Sequence, residues 1–176
     1  MYVERVIAGV SGSAGSLQAL RHAAEMAESH DAALIPVLAW IPPGGDLADR
    51  RSPCPPLREA WKRAACDRLR HAIDLGIGQP PEGLPFTPQV VRGQPGEVLT
   101  EVAALPGDVL VIGAGRHGSV RRLLTAKVSR YCVAHAVCPV ISVPPSALAS
   151  EVHGLRGWVA RRHLDPEDAA LHGAGA

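Results

Sequence analysis

Two glycine-rich turns carry the residues with the clearest chemical capacity. Gly9-Val10-Ser11-Gly12-Ser13 follows an apolar run near the start, and Gly113-Ala114-Gly115-Arg116-His117-Gly118-Ser119 follows a second run, Asp108-Val109-Leu110-Val111-Ile112. Glycines leave backbone N–H groups accessible. Where such a loop opens a helix, the positive end of the helix dipole favours a phosphate or another anion. Arg116, His117, Arg121 and Arg122 add charge to the second turn. The same glycines also suit a tight turn with no ligand, and the arginines an ordinary solvated helix face, so both readings stay open at this point.

Three motifs are approached and missed. Gly113-Ala114-Gly115-Arg116-His117-Gly118 fits the spacing G-x-G-x-x-G. However, the acidic residue a dinucleotide site places ~20 residues further on is absent, for that region reads Cys138-Pro139-Val140-Ile141-Ser142. A phosphate-binding P-loop fails because Gly118 is followed by Ser119-Val120, not Lys-Ser or Lys-Thr. Gly9-Val10-Ser11-Gly12-Ser13 lacks the last glycine of the hydrolase elbow G-x-S-x-G. A serine hydrolase using Ser11 is the lesser reading beside Ser11 and Ser13 as turn and cap residues. His22, His30, His71 and His135 are scattered without H-E-x-x-H. Cys54, Cys66, Cys132 and Cys138 form no C-x-x-C, so no metal site and no catalytic residue is expected.

Strands and helices must position the two turns. Val6-Ile7-Ala8-Gly9-Val10 reads as a strand, and Leu17, Leu20, Ala24 and Ala27 then recur at helical spacing behind a cap at Ser13 or Ser16. Residues 33–40 form a continuous apolar run, the mark of a strand covered on both faces. Pro36 inside it must sit where its nitrogen faces no ladder partner. Residues 42–56, rich in Pro and Gly, read as a loop. A helix over 57–75 presents Leu57, Trp61, Ala64, Leu69 and Ile73; a strand follows at 86–91 and a short helix after Gly93-Gln94-Pro95-Gly96. Strand 108–112, a helix over 123–134 and strand Pro139-Val140-Ile141-Ser142-Val143 complete the alternation. It predicts an α/β fold, an open parallel sheet with helices on both faces. The domain spans 1–145, and 146–176 is a C-terminal extension, weakly helical or partly disordered.

The chain of 176 residues is 47% hydrophobic, enough for one core. With 18 basic and 17 acidic residues the net charge is +1, so no global field draws it to nucleic acid or an anionic membrane. No apolar stretch reaches the ~18–20 residues that span a bilayer, and Glu4 and Arg5 precede only a short apolar run, so neither an anchor nor a signal peptide is expected. Reduced thiols fit a cytoplasmic setting.

Several blocks together resemble the universal stress protein family over about residues 2–145. They are Arg5 through Ser13, Leu20-Arg21-His22-Ala23-Ala24, Val91 through Leu99, Asp108 through Gly118, Val128-Ser129-Arg130-Tyr131 and Cys138-Pro139-Val140. The resemblance implies a five-stranded, Rossmann-like sheet with strands one and four adjacent, and a nucleotide site from Ala8, Gly9, Val10, Ser11, Ala39, Gly113, Ala114, Gly115, Arg116, His117, Gly118, Lys127, Val128 and Ser129. In the family's ATP-binding branch an Asp follows strand one, and G-x2-G-x9-G-[ST] follows strand four. Here Ser11 takes the place of the Asp, Arg116 that of the second glycine, and Ala126-Lys127 that of the final pair. Weak binding of ATP or another adenine nucleotide, or none in a pure interaction module, is the expectation: Arg116 either fills space the phosphates would need or, with Lys127, contacts an anion directly. The resemblance also implies a homodimer through strand 139–143, whose uncharged edge leaves N–H and C=O groups open to a partner.

Overall fold

Apolar runs flanked by turn residues become strands, and small-residue amphipathic stretches become the helices that cover them. The computed structural model describes residues 2–80, 82–114 and 122–144, with the backbone alone for 122–127. The expected site residues Gly115, Arg116, His117 and Gly118, and the extension 146–176, lie outside these residues. In chain order the elements are β1 (Arg5–Gly9), α1 (Ala14–His30), β2 (Ala33–Trp40), α2 (Gly45–Arg51), α3 (Pro55–Gly76), β3 (Gln89–Arg92), α4 (Pro95–Val102), β4 (Asp108–Gly113), α5 (Arg122–His135) and β5 (Val140–Val143).

All pairings are parallel, in the order β3-β2-β1-β4-β5. The chain runs outward from β1 to β3 and then crosses back to place β4 on the other side of β1. The direction of winding therefore reverses between β1 and β4, where open α/β sheets leave a crevice at the carboxyl ends of their strands.

Alternate residues of each strand face opposite sides of the sheet. Val6, Ala8, Leu34, Leu38, Val109 and Val111 pack with α1 and α3, while Ile7, Ile35, Val37, Leu110 and Ile112 pack with α4 and α5. Ala19, Ala23 and Ala27 of α1 are fully buried, and such small side chains let the helix approach the sheet closely. At the amino ends of the central strands, Arg5 Nε and Nη2 donate to Asp108 Oδ1 and Oδ2 at 2.7 and 2.6 Å. Arg5 also donates to the Val102 carbonyl, and Leu105 N–H donates to Asp108.

Four expectations are corrected. Residues 42–56 hold α2, a turn-rich stretch made helical by tertiary contacts. Asp49, buried, accepts from Arg58 of α3 at 2.9 Å and from Arg92 of β3 at 2.8 Å, and Asp46 also pairs with Arg92. Burial alone would raise the Asp49 carboxyl, but hydrogen bonds from Arg58 and Arg92 outweigh it and hold it below the usual carboxylate value. In α3 the buried face is Ala65, Leu69, Ala72, Ile73 and Gly76. Leu57 and Ala64 are exposed, because the helix docks on the i, i+4, i+7 row that begins at Ala65. The first strand starts and ends one residue earlier than its apolar run, because Arg5 joins the ladder opposite Asp108.

The β3 ladder begins only at Gln89, after a single bridge between Leu34 and Phe86. Pro36 explains the gap. Leu34 N–H donates to Pro85 O on the β3 side, so strand alternation turns the nitrogen of residue 36 the same way. The register Val37 to Gln89 sets Pro88 opposite Pro36, and Pro36 has no N–H to give to the β3 side, whereas Thr87 N–H donates to the Leu34 carbonyl and so turns the Pro88 nitrogen away from β2. This is the partnerless position the sequence required.

Candidate functional site

At the carboxyl ends of β1, β2 and β4 lies a cleft of about 250 Å³. Its floor comes from Gly9, Val10 and Ser11 after β1, Val37, Leu38 and Ala39 of β2, and Ile112 and Gly113 of β4. Ser16 of α1, Arg68 of α3, Pro95 and Leu99 of α4, and Val128 and Ser129 of α5 make its walls.

Local sequence explains how the turns reach it. Gly9 ends β1 because a Cβ there would stand 3.0 Å from Ile112 Cγ2 and 3.1 Å from Leu99 Cδ1. Ser13 caps α1: its Oγ accepts from Ser16 N–H at 3.2 Å, and Ser16 Oγ donates to the Ser13 carbonyl at 2.9 Å. Ser16 Oγ in turn accepts from Ser11 N–H at 3.2 Å, which fixes the path of the first turn. Ser11 Oγ lies 3.1 Å from Ser13 Oγ, with no base beside it among the described residues. Across the cleft, Ser129 Oγ donates to Gly113 O at 3.2 Å and ties α5 to the end of β4.

Of the expected site residues, the structure brings together Gly9, Val10, Ser11, Ala39, Gly113, Val128 and Ser129 around the cleft. Ala8 is fully buried in the core beneath it, Ala114 continues β4 by donating to Val143 O, and the side chain of Lys127 is outside the description. Sequence reasoning missed Ser16, Val37, Leu38, Arg68, Pro95, Leu99 and Ile112. Ser16 was flagged only as a cap, and nothing in the sequence of α3 singles out Arg68 from its neighbouring arginines.

The remaining reactive groups do not add a second centre. Burial pushes the Cys132 thiol up to about 11, with Cys138 adding to the rise, and burial likewise raises Cys138; protonated thiols are poor nucleophiles. Among the described residues no group of three or more His, Cys, Asp and Glu is placed to hold a metal ion. No described helix is long and apolar enough to cross a membrane.

A model of the universal stress protein family matches residues 3–144. The chain belongs to the universal stress protein family. A solved universal stress protein in complex with cAMP shares 24% identity, with 83% of this chain and 100% of that one covered and a TM-score of 0.53. The universal stress protein UspA from Lactobacillus plantarum shares 22% identity over 81% of this chain and 99% of its own, with a TM-score of 0.60. No curated protein matches the chain significantly. At these identities the solved universal stress proteins establish the fold, and the five-stranded parallel sheet is the one the resemblance implied.

Proposed function

We propose that this universal stress protein is a non-catalytic, cytoplasmic stress-response module whose cleft takes an adenine nucleotide weakly. The observation that carries the reading is the junction of Gly9, Val10 and Ser11 with Gly113 over the first turn of α1, at the point where the sheet reverses its winding. Backbone edges of two strands and an apolar wall from Ala39, Leu99 and Val128 suit a flat base, and serine hydroxyls suit a sugar. The family member solved with cAMP supports an adenine ligand. Ser11 in place of a carboxylate and Arg116 in place of a glycine argue against tight ATP binding.

Calorimetry with ATP, AMP and cAMP, together with native mass spectrometry of the purified protein, tests the reading. ATP is expected to bind with a Kd above ~1 μM, less than about 8 kcal/mol. Tighter ATP binding, or a nucleotide retained through purification, contradicts weak binding; no binding of any of the three leaves the chain as an interaction module without a nucleotide.

The second part of the proposal is a homodimer through β5. That strand is the last of the sheet, and Val133 of α5 and Val137 in the segment leading into β5 are 66% and 79% exposed, apolar surface that a second copy would cover.

A further inference from the structure

The sequence that ends β4 and forms α5 is one-sided in charge. From residue 109 to residue 150 the chain contains no Asp or Glu, yet it contains Arg116, Arg121, Arg122, Lys127 and Arg130. From this stretch Ile112 and Gly113 of β4 and Val128 and Ser129 of α5 line the cleft, and no carboxylate is among the described lining residues. The opposite face of the sheet contributes Arg68 from α3, the one charged side chain among the described lining residues. Arg68 Nε donates to the Ala64 carbonyl at 3.3 Å, and among the described residues no carboxylate pairs with it. The other polar side chains of the lining are the hydroxyls of Ser11, Ser16 and Ser129.

Such a lining chooses between two ways of holding a phosphate. A divalent cation that bridges protein and phosphate is held by hard oxygen ligands, chiefly carboxylates. The described lining offers a cation no carboxylate, and its one charged side chain is a guanidinium, which repels a cation. A guanidinium instead meets a phosphate directly through charge-assisted hydrogen bonds.

We propose that the cleft takes its phosphate-bearing ligand as the free anion, without a divalent cation, and that Arg68 contacts that anion from the α3 side. The ligand class is then a nucleoside monophosphate or cyclic monophosphate, not a metal–triphosphate complex. This rests on the adenine-nucleotide reading above.

AMP and ATP are titrated by calorimetry in excess EDTA and in excess Mg²⁺, with the full chain and with Arg68→Ala and Arg68→Lys. Because Arg68 is exposed on a helix, alanine there keeps the fold, which a melting curve verifies. AMP affinity is expected to be the same with and without Mg²⁺, and ATP affinity to fall when Mg²⁺ masks its charge. Arg68→Ala is expected to weaken AMP about tenfold, the effect of one charge-assisted hydrogen bond, and Arg68→Lys to recover part of it. ATP binding that Mg²⁺ strengthens overturns the proposal, and so does AMP binding that Arg68→Ala leaves unchanged. If no nucleotide binds in either condition, the adenine reading fails by itself, and inorganic pyrophosphate decides the rest. Saturable binding that Arg68→Ala weakens upholds the anion site, and no binding ends it.

Discussion

A Cβ placed on Gly113 would lie 2.8 Å from both the carbonyl carbon and the carbonyl oxygen of Gly15. The end of β4 and the first turn of α1 therefore touch backbone to backbone, which is how two turns 100 residues apart in sequence come to share one cleft. Neither neighbour is a side chain that can rotate away. Gly113→Ala is expected to cost about 1–3 kcal/mol and to weaken nucleotide binding by parting the two turns. Chemical denaturation and calorimetry measure the two effects; an alanine variant as stable as the parent would mean that α1 shifts freely.

At the other end of the same strands, Asp108 is 2% exposed and held by Nε and Nη2 of one arginine. Removing Arg5 leaves a buried carboxylate whose remaining partner among the described residues is the Leu105 N–H. Arg5→Ala should cost about 3 kcal/mol, since breaking one side of a buried pair strands the other charge. Nucleotide affinity should be unchanged, because the cleft lies at the opposite strand ends. A variant that loses affinity without losing stability would show that the pair acts on the site.

Asp49 makes part of the stability depend on pH. Its carboxyl in the folded chain lies below the usual value, ~3.9 in an unfolded chain. The ion pairs with Arg58 and Arg92 thus stabilise fully above ~3.9 and are lost as pH falls through the lower folded-state value. The parent chain should melt above Asp49→Asn at neutral pH, and the gap should close in acid. A gap in melting temperature that stays constant down to strongly acid pH would assign the role of Asp49 to shape, not charge.

Light scattering decides the state of the β5 edge. The full chain is expected at twice its monomer mass, and Ser142→Arg, which puts a charge on an exposed position of that strand, at the monomer mass. A full chain that is monomeric, paired with a chain ending at Pro145 that is dimeric, would show that residues 146–176 cover the edge instead.

Legibility in the sequence followed the range of the forces. The continuous runs at 33–40 and 108–112 announced buried parallel strands because both their faces are apolar, a property each run displays by itself. Ser13 announced the start of α1 for the same local reason. What escaped was held from far away. The α2 helix depends on Arg92, 43 residues from Asp49, and on a carboxylate that composition would place in solvent. Arg68 could not be picked out among the arginines of α3, because its direction follows from the row of α3 that meets the sheet, and that row starts at Ala65, not at Leu57. The turn residues Gly9, Ser11 and Gly113 are legible because glycines and serines clustered after an apolar run mark a strand-to-helix turn; the apolar wall of Leu99 and Pro95 reads like any core.

The facing prolines at 36 and 88 divide the sheet into parts of unequal cohesion. A seam short of the Pro36 rung, with a four-residue border strand beyond it, opens locally at lower free energy than the β2-β1-β4 centre. Amide protons of Val90 and Val91 would then exchange with solvent while those of Ile7 and Leu110 are still protected.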